Sequence, residues 1–476
     1  MTQHDLSTVP ILFLTLAAVA LLSVPLLAQP APTVLTVGPA GSYATIQAAI
    51  DAAVVGQDTH ILVQGLETYT ENLSIAGTFT SGSLLVWGGW DSTFTIHNDD
   101  PEDTIVDGDG DRVLDVSIGG GSFEMRNFAL TNGVAEQGAG ILVIPAGNST
   151  VTLEDLLVAE NTATSATTAL GGGLWASLSG TQQLKISDCD FYLNQAVSTG
   201  GGLANAGGLG VVAAGDSRFL IEVTDVTENH IESSGPAISG GGMLLGIEDT
   251  AEGDLFDVIV SGNTGDSGSG DVQGAGGWWA TSDSAVLRVE RLGCVFNAGV
   301  GTDAGPQIVS SHSGQSTLRM SETGIAQGEL DGLRLQARES STVNLVNLTV
   351  ADHVGTGLDL MKIGGTSTST LYNTIAYGNG VDFTDSGTGV DTGSNLIGVD
   401  PMFVDPTDLD YHLRAGSQAF DAGDNSPPGG LGTTDFDGRP RIADGTVDIG
   451  IFEGLIVILI DGFESGDTSA WTKTLP

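Results

Sequence analysis

Short runs in which apolar and polar residues alternate follow one another along most of the chain. Clear examples are "LKISDCDFYL" at 184–193, "RFLIEVTDV" at 218–226 and "TVNLVNLTV" at 342–350. A period of two, interrupted by turn residues after about ten positions, is typical of short strands with one buried face. The pattern therefore predicts a chain built almost entirely from short strands.

One stretch has the spacing of a helix instead. In "SYATIQAAIDAAVVG", Ile46, Ala49, Ile50 and Ala53 share one helical face, and Gly56 is a suitable terminator. This spacing predicts a single short helix over residues 45–55.

The alternating runs recur with a repeat that is marked by asparagine. Each run closes on one of six asparagines, spaced by 29 to 35 residues: Asn132, Asn161, Asn194, Asn229, Asn263 and Asn297. The first five are followed by a cluster of small residues that ends at an apolar one: Ile141, Leu174, Leu203, Met243 and Trp278. The series continues at shorter intervals through Ile308, Leu333, Leu358 and Val381.

A repeat of this length indicates a solenoid, a propeller or an array. Propeller blades need about 40 residues or more, and the later intervals of 23 to 25 residues are too short for them. Coils of three short strands, each pairing in parallel with its copy one coil away, fit both the short and the long intervals. We therefore expect a β-solenoid of roughly ten coils.

The glycine clusters and the asparagines are expected at the corners of the coils. Glycine reaches positive φ and has no Cβ to collide with a neighbouring coil about 4.8 Å away. Asparagine also tolerates the left-handed conformation, and stacked asparagines can hydrogen-bond amide to amide along the axis.

Composition adds an extreme acidity to this picture. The chain has 14 Lys and Arg against 59 Asp and Glu, for a net charge of −45. Such a surface repels nucleic acid and anionic membranes and attracts cations. It also opposes self-association, so we expect a monomer.

The beginning of the chain predicts export. Residues 11–27 are apolar and "AQPAP" follows, so cleavage after Ala28 would remove a signal peptide at 1–28. No Lys or Arg precedes the apolar core, and retention of the segment as an anchor is the alternative. No other segment approaches the roughly 20 apolar residues of a membrane span. The mature protein is thus expected outside the cell or at its surface.

A secreted chain permits disulfides, but the repeat argues against one here. Cys189 and Cys294 precede asparagines three coils apart, which corresponds to about 14 Å. Bridged Cα atoms lie within about 7 Å. Two buried free thiols are therefore predicted.

Several segments resemble known families. "VGPAGSYATIQAAIDAA" with "ILVQGLETYTENLSI" resembles the start of right-handed parallel β-helices of the pectin-lyase-like superfamily, in which the helix caps the solenoid. The Asn and Gly-Gly repeats resemble those of polymorphic outer-membrane proteins. "NLIGVDPMFVDPTDLDYHLRAGSQAFDAGDN" with "DFDGRPRIADGTVDIGIFE" resembles the choice-of-anchor Q domain, and "DGFESGDTSAW" is similar to a tail of secreted bacterial proteins.

These resemblances imply an all-β, right-handed parallel β-helix with an N-terminal capping helix and a small C-terminal β-rich module. The implied segments are a signal peptide at 1–28, the β-helix at 33–385, the C-terminal module at 386–454 and a short tail at 455–476.

No catalytic motif of the superfamily is recognisable in the chain. "RLQAR", with Arg334 and Arg338, lacks the proline pattern of pectate lyases, and the paired aspartates of polygalacturonases are absent. The nearest approach is Asp352 and His353, followed by Asp359. Asp352 and His353 fall at a corner, and Arg334 and Asp359 should form a surface ion pair between adjacent coils. No catalytic residue is assigned.

Two acidic stretches are candidates for Ca²⁺. "DGDGD" at 107–111 lacks the Gly and Glu of an EF-hand loop, so an acidic turn is the simpler interpretation. In "TTDFDGRPR", Asp435 and Asp437 have Arg439 and Arg441 nearby as alternative partners. No cofactor is predicted, and bound Ca²⁺ is the alternative.

Aromatic residues suggest a binding surface. After the glycine corner, Leu174, Met243 and Trp278 are expected to point inward. Trp175 and Trp279 should then point outward on one strip, where flat rings suit stacking against sugars. The alternative is that the long loops of these coils cover both rings.

The sequence thus predicts an exported, extracellular or cell-surface protein that acts as a structural or adhesive surface for a glycan or a protein. The alternative is a carbohydrate-active enzyme, either a polysaccharide lyase or a glycoside hydrolase.

Overall fold

The computed structural model describes residues 31–454 except 77–78, 236, 269, 302–304, 388 and 444. Its strands pair in parallel with their copies one coil away, apart from one antiparallel pair near the C-terminal end. The predicted right-handed parallel β-helix is confirmed. The predicted signal peptide and the predicted tail lie outside the described residues.

The largest sheet has 19 strands and is called the long sheet. Most strands in its middle are bent by one left-handed residue, so that the sheet forms two sides of each coil; Asp155 and Asp257 are examples. Its strands are Thr33–Val37, Thr59–Gln64, Glu67–Thr70, Ser83–Trp90, Thr104–Asp107, Gly121–Thr131, Ser149–Ala159, Gln183–Tyr192, Arg218–Thr227, Glu252–Ser261, Val286–Val295, Thr317–Ser321, Gly324–Ala326, Thr342–Val346, Thr349–Ala351, Thr368–Tyr372, Ile375–Tyr377, Val390–Gly393 and Leu396–Ile397.

A sheet of 11 strands forms the third side of the coils and is called the face sheet. Its apolar residues that point inward meet those of the long sheet in one continuous core, in which Leu174, Met243 and Leu358 are fully buried. Its strands are Leu73–Ile75, Leu114–Val116, Ile141–Val143, Leu174–Leu178, Leu209–Ala213, Met243–Ile247, Gly277–Thr281, Ile308–His312, Leu333–Arg338, Thr356–Ile363 and Val381–Ser386.

The middle coils carry an additional narrow layer, called the fin, between the long sheet and the face sheet. Two small sheets face each other in it across a separate core of mainly alanine, which includes Ala163 and Ala204. Alanine is small enough for two sheets to approach closely. The strands of the fin are Val134–Ala135, Thr162–Ser165, Gln195–Ser198, His230–Ser233, Thr264–Asp266 and Ala298–Val300 in one sheet, and Thr168–Leu170, Leu203–Asn205, Ala237–Ser239 and Asp271–Gln273 in the other.

The predicted helix is present as Ile46–Ala52. Thr45 caps its N-terminus, accepting a hydrogen bond from the N–H of Ala48, and Ile46, Ala49 and Ile50 are buried. The helix packs against the first strands of the long and face sheets, and its role as the cap of the solenoid stays a prediction. No described helix is long and apolar enough to cross a membrane.

The C-terminal residues lie against the side of the solenoid. Strands Phe403–Asp405 and Asp410–Leu413 form the antiparallel pair, and 3₁₀ turns occur at Pro101–Asp103 and Pro406–Asp408. Further on, the backbone carbonyls of Asp448 and Gly450 accept hydrogen bonds from the Asn347 side chain. This packing buries the charged cluster described below.

The asparagine ladder forms inside the corners, with one correction. Asn161, Asn194, Asn229, Asn263 and Asn297 are buried. From Asn194 onward, each amide oxygen accepts from the backbone and side chain of the asparagine below, at 2.9–3.1 Å, and that of Asn161 accepts from the Gly133 N–H. Asn132 is exposed and takes no part, because Gly133 occupies the ladder position of its coil.

The residue before each ladder asparagine adopts the left-handed conformation, and the asparagine itself does not. Glu160, Leu193, Glu228, Gly262 and Phe296 have φ between 54° and 65°. Each buried amide therefore hydrogen-bonds along the axis while its neighbour makes the turn.

The glycine corners are also confirmed, but the apolar residue expected after the corner is misplaced in three coils, at Leu203, Trp278 and Val381. Leu174 pairs with Leu209 and not with Leu203, so the corner of that coil is Ala206–Leu209. Leu203 lies in the fin and is 45% exposed. Further along, Val381 pairs with Thr356, and Phe383 takes the place expected for Val381.

Both cysteines are buried and free, as predicted. Burial raises the pKa of each thiol well above its ordinary value. Cys189 and Cys294 lie on strands three coils apart, which explains why no bridge forms.

Candidate functional site

One row of outward-pointing side chains crosses the face sheet. The register aligns Trp175, Gly210, Leu244, Trp278, Val309, Arg334 and Asp359 on successive strands. The row changes from aromatic and aliphatic residues to charged ones along the axis, so its two ends differ in chemistry.

The predicted position of Trp279 is wrong. Gly277 pairs with Met243, so Trp278 points outward and Trp279 is buried in the core at 0% exposure. The corner of this coil contains one small residue more than the sequence alignment of the repeats suggested. A shift of one residue moves every side chain of a strand to the opposite face.

Trp175 does point outward, but it is covered. It is 9% exposed and packs with Leu142, Ala206 and Leu244 in a small apolar cluster on the outside of the face sheet. A Cβ on Gly210 would lie 2.4 Å from the Trp175 ring, so this glycine gives the ring its space. Trp175 therefore has a packing role beneath the fin. This agrees with the alternative interpretation, in which other parts of these coils cover the ring.

The fin ends before strand Ile308–His312, and the later coils lack this layer. A groove lies where the fin ends. Its cavity volume is about 360 Å³, and it is called the step groove. The end strand of the four-stranded fin sheet forms one wall through Asp271 and Gln273. The floor is the face sheet, which contributes half-buried Trp278, then Ser311, Arg334, Gln336 and Arg338.

The two arginines of the step groove differ in their partners. Arg334 pairs with Asp331 through Nη2 at 3.1 Å and with Asp359 through Nε at 3.4 Å, which confirms the predicted ion pair between coils. Arg338 is exposed and donates to Gln336 Oε1 at 2.8 Å. Within the described residues, no carboxylate lies within ion-pair distance of Arg338. Its charge is thus available to a ligand.

The corner at Asp352 and His353 is part of the ladder. His353 is buried; its Nδ1 accepts from the Gly328 N–H at 3.1 Å, and its Nε2 lies 3.1 Å from the Ile325 carbonyl. Burial lowers the pKa of His353 to about 4, so the ring is neutral and donates from Nε2. Asp352 accepts a hydrogen bond from the Tyr411 hydroxyl at 3.1 Å. These contacts assign a structural role to the pair.

Gln307 fills a gap in the same ladder. Its coil has Gly328 at the ladder position, and Gln307 reaches in from the bend just before strand Ile308–His312. Its Oε1 accepts from Asn297 at 2.9 Å, and its Nε2 donates to the Ala326 carbonyl at 2.9 Å. The sequence pattern missed this residue, because it lies outside the repeating asparagine position.

A serine–histidine contact inside the solenoid has no access to solvent. His312 Nε2 lies 2.7 Å from the Ser310 hydroxyl, and Nδ1 lies 2.7 Å from that of Thr281. Ser310 and His312 are 0% exposed, and burial lowers the pKa of His312 to about 3. No substrate could reach this serine, so the group is a buried hydrogen-bond network.

The acidic stretches are used within the protein. In the turn at 107–111, Asp107 accepts from the Asp109 N–H and from Asn132. Asp435 is buried and accepts from the backbone of Arg439 and Glu453, while Asp437 pairs with Arg439 at 2.9 Å. Across the described residues, no three His, Cys, Asp or Glu side chains are grouped so as to hold a metal ion.

Comparison with known proteins indicates a similarity of fold and nothing further. No family model and no curated protein matches the chain. Among solved structures, pectate lyase Pel9A is 13% identical, with a TM-score of 0.48 over 90% of this chain and 97% of that one. A pectin methylesterase from Aspergillus niger is 14% identical, with a TM-score of 0.24 over 84% of this chain and 94% of that one.

Proposed function

We propose that the protein is an exported binding protein whose step groove holds a glycan that carries carboxylate groups. The observation that supports this most directly is the combination of half-buried Trp278 with exposed Arg338 in one groove. An indole ring suits stacking against a sugar face, and a guanidinium suits bidentate contact with a carboxylate.

Charge strengthens the choice of an anionic ligand. The chain has a net charge of −45, yet the floor of this groove exposes Arg338, which has no carboxylate within ion-pair distance among the described residues. Trp278 and Arg334 lie two strands apart, or roughly 10 Å, so a ligand chain along the axis would meet both ends of the floor. Asp271 and Gln273 on the fin wall offer hydrogen bonds to sugar hydroxyls.

Binding to immobilised polygalacturonate and to a neutral galactan would test the proposal. We expect the wild-type protein to retain polygalacturonate more strongly, and both Trp278→Ala and Arg338→Gln to weaken that binding about tenfold. Arg218→Gln, on the long sheet, removes an equal charge from an exposed position and should leave binding unchanged. Unchanged binding in both groove variants would reject the proposal.

The same assay separates binding from turnover. Release of reducing ends or of unsaturated products from polygalacturonate would instead support the carbohydrate-active enzyme, and the groove would then be an active site. Retention without product supports the binding protein, including an adhesive use at a cell surface.

A further inference from the structure

A second hollow lies on the long sheet near the N-terminal end of the described chain. It has a volume of about 460 Å³ and shares no residue with the step groove. Its walls come from the turn Gln64–Glu67, from residues between Gly89 and Asn98, and from Asp103. The glycan proposal makes no use of it.

An aromatic cluster holds one wall of this hollow in place. Trp90 lines the cavity, and its ring packs edge-on against Trp87, with centroids 4.9 Å apart. The His97 ring lies 4.4 Å from Trp87 and 5.3 Å from Trp90. Three mutually packed rings fix the orientation of the indole that the hollow presents.

The hollow carries only negative charge. Glu67, Asp91 and Asp103 line it, and no Lys, Arg or His does. By contrast, Arg126, one coil further on, shares its guanidinium between the carboxylates of Glu124 in its own coil and Glu154 in the next. The Thr93 hydroxyl and the N–H groups of Thr95 and Ile96 hold the pKa of Asp91 below its ordinary value, so this carboxylate stays charged.

Its rim is apolar to an unusual degree. Leu66 is 84% exposed and Ile96 is 68% exposed, and both line the opening. Two wall residues also have a buried polar atom without a hydrogen-bond partner, Gln64 Oε1 and Trp90 Nε1. Exposed aliphatic side chains around an acidic, aromatic hollow are complementary to a ligand with an apolar body and a positive end.

We propose that this hollow binds an organic cation, namely an ammonium or guanidinium group carried on an apolar stem. The cation would lie against the Trp90 face and the three carboxylates, since a positive charge is attracted both to an indole ring and to the acids around it. The stem would contact Leu66 and Ile96. A neutral sugar would leave the three carboxylates without a counter-charge.

Calorimetric titration of the whole protein with butylammonium chloride tests this inference. We expect saturable binding that weakens as salt is added, and no binding of butan-1-ol or glucose. Glu67→Gln should weaken binding about fivefold by removing one charge, and Trp90→Ala about tenfold by removing the ring.

The matched control is Glu102→Gln, which removes an equal charge from an exposed position outside the hollow. The Glu67 side chain makes no hydrogen bond in the described structure, so Glu67→Gln remains informative even if Trp90→Ala fails to fold. A peptide such as acetyl-Ala-Lys-Ala-amide, titrated in parallel, distinguishes a lysine of a protein partner from a free amine. Absence of binding by both cations, equal effects of Glu67→Gln and Glu102→Gln, or preference for glucose would overturn the proposal.

Discussion

At the scale of the residue, two adjacent tryptophans on one strand have different structural roles. Trp279 fills the core of the solenoid, and Trp278 lines the step groove. Their order could not be obtained from the sequence, because the small-residue corners differ in length between coils. Side chains alternate between the two faces of a strand. An error of one residue in the position of a corner therefore assigns every following side chain of that strand to the wrong face.

This difference gives the first prediction. Trp279→Ala should lower the free energy of unfolding by about 3–5 kcal/mol, since it leaves a large cavity in a closely packed core. Trp278→Ala should lower it by much less, because this ring is partly in water. Urea unfolding monitored by circular dichroism compares the two variants. Equal losses would contradict the assigned register.

At the scale of the element, the corner ladder connects the coils. Much of it could be predicted, because the asparagines recur at a fixed place in each strand run. The contribution of Gln307 could not be predicted, because this side chain comes from the bend before strand Ile308–His312 and enters the place left open by Gly328. The cluster at Gly200–Leu203 was misleading for a related reason: the fin needs tight turns of its own, and these resemble a corner.

The ladder predicts a strong effect at Asn229. Its Oδ1 accepts from Asn194, and its Nδ2 donates to Phe191 O and Asn263 Oδ1. Asn229→Ala should lower the free energy of unfolding by about 1–3 kcal/mol for each buried polar group that it leaves without a hydrogen-bond partner. Asn205→Ala is the control, because the Asn205 side chain makes no hydrogen bond in the described structure. Thermal unfolding of both variants measures the difference, and similar melting temperatures would argue against the ladder as a stabilising element.

At the scale of the whole molecule, the C-terminal residues join the solenoid through buried charges. Arg441 lies between Glu322 and Glu453, with Nε 3.5 Å from Glu322 Oε2 and Nη1 3.8 Å from Glu453 Oε2. All three side chains are almost completely buried, and Glu290 and Asp435 lie close enough to add negative charge. One arginine thus faces several acids. The sequence could indicate a separate C-terminal module, but not the partner of Arg441, which lies over a hundred positions earlier.

This junction predicts a dependence on pH. Burial raises the pKa of Glu322 to about 8 and that of Glu453 to about 7. The folded protein therefore keeps protons that the unfolded chain has lost, so these groups make the free energy of unfolding fall as the pH rises from about 5 to about 8. Glu322→Gln should remove part of that fall, as measured by urea unfolding across the pH range. A steeper fall in the variant would contradict the assignment.

Gln307 has a consequence for how such proteins vary. It sits where repeats with an added layer give way to shorter ones, and it continues the inner column of hydrogen-bonding side chains across that junction. A chain that possesses such an adaptor can gain or lose whole rungs on either side of it while its cross-section is preserved. The height of the molecule, and with it the distance between the two proposed binding sites, is therefore free to change by duplication or deletion of rungs without a redesign of either site.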